Sequence, residues 1–154
     1  MSEFLLSSGV ASYISQNILI VPFQADFYDE VIAALQQDVL QQLQRNAGIR
    51  GLIIDLSNVN LLDFHNMAAL KQTLDMAAMF GVMGFLVGIQ PNVTLALVEL
   101  GYEQGSLNTA LNIERATVAI HKAINTREIQ DDEQDAFCEE NEVVLAKMGT
   151  EHGS

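Results

Sequence analysis

The stretch GLIIDLSNVNLLDFHNMAALKQTLDMAAMFGVMGFLVGI, residues 51 to 89, decides the fold. It opens on GLIIDL, residues 51 to 56, a near-continuous apolar run broken only by Asp55 at its end. Such a run fits a central parallel strand covered on both faces, where neither side meets water. A polar turn, Ser57 and Asn58, follows. From about Asp63 to Phe80 the apolar period becomes helical, with Met67, Leu70, Leu74 and Ala77 to Ala78 on one side, and Gly81 ends it. MGFLVGI, residues 83 to 89, is then a second buried strand. Strand and helix periods alternate, which is the pattern of an α/β layer rather than a bundle or sandwich.

Upstream, apolar runs at Val10 to Ile14 and Ile18 to Phe23 are separated by Ser15, Gln16 and Asn17, as in a hairpin that opens the sheet antiparallel. Phe27, Val31, Leu35, Val39 and Leu43 then recur four apart among glutamines, which predicts an amphipathic helix from Asp26, its N-cap, to near Asn46. Gly48 stands where a left-handed C-terminal cap belongs. Downstream, Pro91 suits the first turn of a helix that reaches Leu100 and stops at Gly101. An extended piece near Thr109 to Leu111 leads to Asn112, the expected N-cap of a last helix with Ile113, Ala116, Ile120 and Ile124 inward.

The chain has 154 residues, 20 acidic against 7 basic side chains, 49% hydrophobic residues and one cysteine. These numbers suit a single cytoplasmic domain with an ordinary core. A net charge of -13 repels phosphates, which argues against nucleic acid and anionic membrane surfaces as partners. The start, MSEFLLSSG, carries Glu3 where a secretory signal carries Lys or Arg, so export is not expected. No run approaches the ~18 consecutive apolar residues of a membrane span, so no direct membrane insertion is expected. Cys138 has no cationic neighbour to favour a thiolate and reads as a spectator. Residues 125 to 154 hold nine carboxylates against Arg127 and Lys147, more than half the net charge in a fifth of the chain. A domain over residues 1 to 124 is therefore expected to carry an acidic C-terminal extension, a helix or tail, over residues 125 to 154.

A search for chemistry returns no catalytic residue, no metal site and no cofactor cradle. The phosphate-loop, dinucleotide, nucleophile-elbow and zinc-protease motifs are absent from the sequence, and His65, His121 and His152 share no ligand spacing. Asp55 and Asp63 flank a strand-to-helix loop, where open α/β sheets hold ligands. The structural reading is stronger: Asp63 caps a helix and Asp55 fixes a turn. Phe64 and His65 place two rings at the helix entrance, either a contact surface or a pair packing the turn. The acidic run from Asp131 to Glu142 reads as a solvated face before it reads as a site for a basic partner.

Four segments, GIRGLIIDLSNVNLLD, MAALKQTLDMAAMFG, LVGIQPNVTLALVELG and TALNIERATVAI, resemble the STAS domain family over about residues 8 to 124. The likeness is to the stand-alone stressosome STAS proteins of the RsbS type, anti-sigma-factor antagonists. The resemblance implies a small mixed sheet of four to five strands flanked by about four helices. It also implies no catalysis and regulation by a partner serine/threonine kinase and a phosphatase. The family's acceptor hydroxyl follows the aspartate at the start of the second helix, a position held here by Phe64 after Asp63. A second acceptor of some relatives precedes the glycine of G-I-x-P and falls on Val87. Neither side chain can accept phosphate. A phosphate adds about -1.5 to -2 charge at a helix entrance, whereas a phenyl ring adds apolar area there.

The expectation is a standing adaptor whose loop Asp63, Phe64, His65 and Asn66 docks on other STAS proteins, a serine/threonine switch kinase or an anti-sigma factor, within a homo- or hetero-oligomer. Two alternatives differ in class. One is the STAS subunit of a membrane transport complex, on a lipid-trafficking ATPase. The other is an enzyme or small-ligand binder at the carboxyl edge of the sheet, using Asp55, Ser57 and Asp63.

Overall fold

The computed structural model describes residues 2–5, 11–24, 29–59, 63–99, 101 and 107–130. Strands β1 (Ser2–Leu5), β2 (Ala11–Ser15), β3 (Ile18–Gln24), β4 (Gly51–Asn58), β5 (Met83–Val87) and β6 (Thr109–Ala110) form one sheet in chain order. β1, β2 and β3 pair antiparallel, and β3 to β6 pair parallel. Helices α1 (Asp29–Arg45), α2 (Phe64–Met79) and α3 (Pro91–Glu99) connect the parallel strands, and α4 spans 113–130. The mixed α/β class expected from the sequence is present. The sheet gains β1 at its edge, a piece of four residues, SEFL, too short to show a period.

The chain divides into two compact units, residues 1–120 and 121–154. The first holds the sheet, α1 to α3 and the turns of α4 up to Ile120; of the second, residues 121–130 are described and are helical. The proposed cap Asp26, Cys138, His152 and the acidic run lie outside the described residues.

The hairpin loop is shorter than the sequence suggested. Ser15 pairs with Ile18, leaving Gln16 and Asn17 alone in the turn with φ of 52° and 64°. Two consecutive left-handed residues match the twist of the flanking strands, which is why a two-residue loop prevails. Its Asn17 carbonyl accepts the Arg50 N–H at 2.7 Å, tying the tip to the start of β4.

Helix ends follow local chemistry, with one correction. Gly81, φ 75°, closes α2: its N–H reaches the Ala78 carbonyl and the Val82 N–H reaches Ala77, a left-handed cap that satisfies two end carbonyls. Gly48 does not take that conformation. Asn46 ends α1 instead, its side-chain Nδ2 donating to the Gln42 carbonyl at 3.2 Å, so no left-handed residue is needed. Pro91 opens α3, and the Asn112 side chain caps α4 by accepting from Arg115 N at 2.9 Å.

Three successive crossovers between parallel strands place α1, α2 and α3 on one face when each is right-handed. There Leu19, Val21, Leu52, Ile54 and Leu86 pack with Leu35, Val39, Met67, Leu70 and Val93. The other face carries Ile18 and Ile53, and there a Cβ on Gly51 would meet Ile120 of α4 at 2.9 Å. β5 shows the inequality of the faces: Gly84 and Leu86 are buried, but Met83 and Phe85 are only half-buried.

Candidate functional site

The α2 entrance is built around a cap. Asp63 is extended, φ -88° and ψ 171°, and its carboxylate accepts the Asn66 N–H at 2.7 Å while its carbonyl accepts from Met67 N at 3.0 Å. The first turn is thus anchored, and the residues just inside it are held in place. Asp63, Phe64 and His65 are exposed, and Phe64 as a residue is 56% open to solvent. Asn66 differs from expectation: it is 6% exposed and sits under the turn, because Asn66 and Met67 lie on the side of α2 that faces the core. Its side chain offers little contact surface, and its buried Oδ1 has no hydrogen-bond partner. Val87, the other position without a hydroxyl, is buried at the end of β5.

A second constellation lies at the carboxyl end of β4. Asp55 Oδ1 accepts two bonds from Ser57, one from its N–H at 2.9 Å and one from its hydroxyl. The Gln90 side chain donates to the Ser57 carbonyl at 2.6 Å, which fixes the same residue from the loop after β5. A cleft of about 280 Å³ opens here, lined by Asp55, Ser57, Val87, Asn112, Ile113 and Glu114. Asp63, grouped with Asp55 and Ser57 in the ligand-site reading of the sequence, is not part of its lining, and its carboxylate is engaged in the cap.

The sequence singled out Asp55 and Ser57 but not Gly88, Gln90 or the residues 112 to 114 as their neighbours. The one local signal was the D-x-S spacing near a strand end; the polar turn expected at Ser57 and Asn58 is instead the end of β4, where the pairing with β3 shifts register between Pro22 and Gln24. The partners come from β5 and α4, and no window of sequence spans them. Among the described residues, no three His, Cys, Asp or Glu side chains converge to hold a metal, and no helix is long and apolar enough to cross a membrane.

The model of the STAS domain matches residues 10–116. No curated protein matches the chain. Among solved structures, a variant of RsbS from Moorella thermoacetica is 23% identical, with a TM-score of 0.66 over 75% of this chain and 97% of that one. A structure of the stressosome, described as a signal integration and transduction hub, is 23% identical, with a TM-score of 0.64 over 73% of this chain and 97% of that one. A Thermotoga maritima protein described as an anti-sigma factor antagonist is 15% identical, with a TM-score of 0.61 over 71% of this chain and 92% of that one. At these identities the structures speak for the fold. The family model covers most of the first compact unit, including both β4 and the α2 entrance, and on that ground the chain belongs to the STAS domain family.

Proposed function

We propose that this chain is a non-catalytic interaction module of bacterial stress signalling in the cytoplasm, an RsbS-like stressosome scaffold or anti-sigma-factor antagonist. Its docking surface is the α2 entrance, and its partners are other STAS proteins, a serine/threonine switch kinase or an anti-sigma factor, in a homo- or hetero-oligomer. The observation that carries this reading is the exposed Phe64, 56% open as a residue, directly after the capping Asp63. A large apolar ring held on a rigid helix start is the kind of anchor that dominates protein contacts. Because Phe64 and Val87 have no hydroxyl, contact at the α2 entrance stands without a phosphate switch at either position. The stressosome, RsbS and anti-sigma factor neighbours support the same class of role.

The test is affinity capture of the full chain from its native cells beside a Phe64→Asp control, with captured proteins identified by mass. STAS proteins, a serine/threonine kinase or an anti-sigma factor retained by Phe64 and lost from the control are expected. Recovery of a transport ATPase in their place, or equal recovery by both chains, overturns the reading.

A further inference from the structure

The Ser57 hydroxyl has no part in the α2 entrance. We propose that Ser57 is a phosphoryl acceptor, modified by a serine/threonine kinase using ATP. The proposal rests on the reading of the chain as a kinase-partnered module and adds to it a modification site that neither Phe64 nor Val87 supplies.

Four observations converge on this side chain. Ser57 is exposed and lines the cleft of about 280 Å³. Its hydroxyl donates to the Asp55 carboxylate, whereas the hydroxyls of Thr73, Thr94, Thr117 and Thr126 donate to backbone carbonyls one helical turn earlier. A hydroxyl paired with a carboxylate has a base at the atom where its proton must leave. Both backbone ends of the residue are held, the N–H by Asp55 and the carbonyl by Gln90, so the oxygen is presented in one place. Finally, the neighbour beside Oγ is Gly88, where any Cβ would come to 2.2 Å of that oxygen.

In the transfer, a lone pair of Ser57 Oγ forms a bond to the γ-phosphorus of kinase-bound ATP. The bond from that phosphorus to the β–γ bridging oxygen breaks, and its electron pair leaves on ADP. The Ser57 proton passes to Asp55 and from there to water. The product no longer donates to Asp55, and about -1.5 to -2 charge now faces the carboxylates of Asp55 and Glu114. The amides at the start of α4 offset part of that repulsion. The remainder pushes Ser57 away from Asp55 and strains its bond to Gln90, the residue before Pro91 and α3.

Trypsin provides a clean test, because cleavage after Arg50 and Lys71 releases peptide 51–71, in which Ser57 is the only hydroxyl side chain. The full chain is isolated from native cells in growth and under stress, and this peptide is weighed. An acid-stable phosphate is expected, in a fraction that differs between the two states, absent from Ser57→Ala and lowered roughly tenfold or more in Asp55→Asn. Asparagine keeps an oxygen for the Ser57 N–H, so the local backbone bond survives, and an unchanged circular dichroism spectrum checks this. A peptide unmodified in both states, or carrying only acid-labile phosphate on His65 or a carboxylate, overturns the proposal. If Phe64-dependent capture of signalling partners persists while the peptide is bare, Ser57 alone fails. If the phosphate is found and the capture is not, the docking reading alone fails.

Discussion

Gly88 and Ser57 approach each other so closely that no side chain fits between them: with Gly88 at φ +70°, a Cβ would lie 2.2 Å from Ser57 Oγ and 3.0 Å from Asp55 Oδ1. Gly81 has a similar φ, +75°, but open space around it. The pair separates two costs of substitution. Gly81→Ala is expected to lose only the left-handed backbone penalty, about 1–2 kcal/mol, and Gly88→Ala that penalty plus overpacking, a further ~1–3 kcal/mol. Urea unfolding of both variants measures the difference, and equal losses would show that the space at Ser57 is not tight.

The cap at α2 predicts a modest, specific loss. Asp63→Ala removes the acceptor of the Asn66 N–H and should cost about 1 kcal/mol, a fall in Tm of roughly 2–4 °C for a chain of this size. Asp63→Ser should restore most of it, because serine also caps. Thermal scans in which serine rescues nothing would argue that the aspartate acts by something other than its hydrogen bond.

Phe64 should matter to binding far more than to folding. With the residue mostly in solvent, Phe64→Ala is expected to change stability by within ~0.5 kcal/mol, as surface substitutions do. Its effect on the affinity of a captured partner should reach about 2 kcal/mol or more, close to thirtyfold in Kd. Calorimetry against that partner reads one quantity and urea unfolding the other. A large stability loss with unchanged affinity would make the ring a packing element.

Gly51 tests the face of the sheet away from α1 to α3. A Cβ there would meet Ile120 at 2.9 Å and Ile18 at 3.1 Å, so Gly51→Ala should cost about 1–3 kcal/mol. Ile120→Val in the same chain removes one of the colliding atoms, and the double variant should lose less than the two single losses added together. Strict additivity would show that α4 gives way without cost.

Much of this architecture could be read from residues 51 to 89, because a buried strand and an amphipathic helix each announce themselves within one window. Asp63 as a cap and Gly81 and Gly101 as stops were readable for the same reason: each is a local rule. β1 was not, since four residues carry no period, and Gly48 misled because Asn46 had already satisfied the helix end through its side chain. At the candidate site, the Phe64 position followed from the chain, but the burial of Asn66 depends on which side of α2 faces the sheet. Of the cleft, only the Asp55 and Ser57 wall was legible. The full lining joins residues 55 and 57 to 87 and to 112 to 114, and only the parallel pairing of β4 with β5 and the start of α4 brings them together.

A sheet whose strand order copies chain order has a consequence for how the molecule is made. Each strand is laid against one that has already left the ribosome, so the sheet grows at a single edge and no strand waits for a distant partner. Every connection joins neighbouring strands, so no closure along the parallel half spans more than one helical crossover. Synthesis itself then supplies the sequence of docking events, and β6, the two-residue strand added last, closes the row.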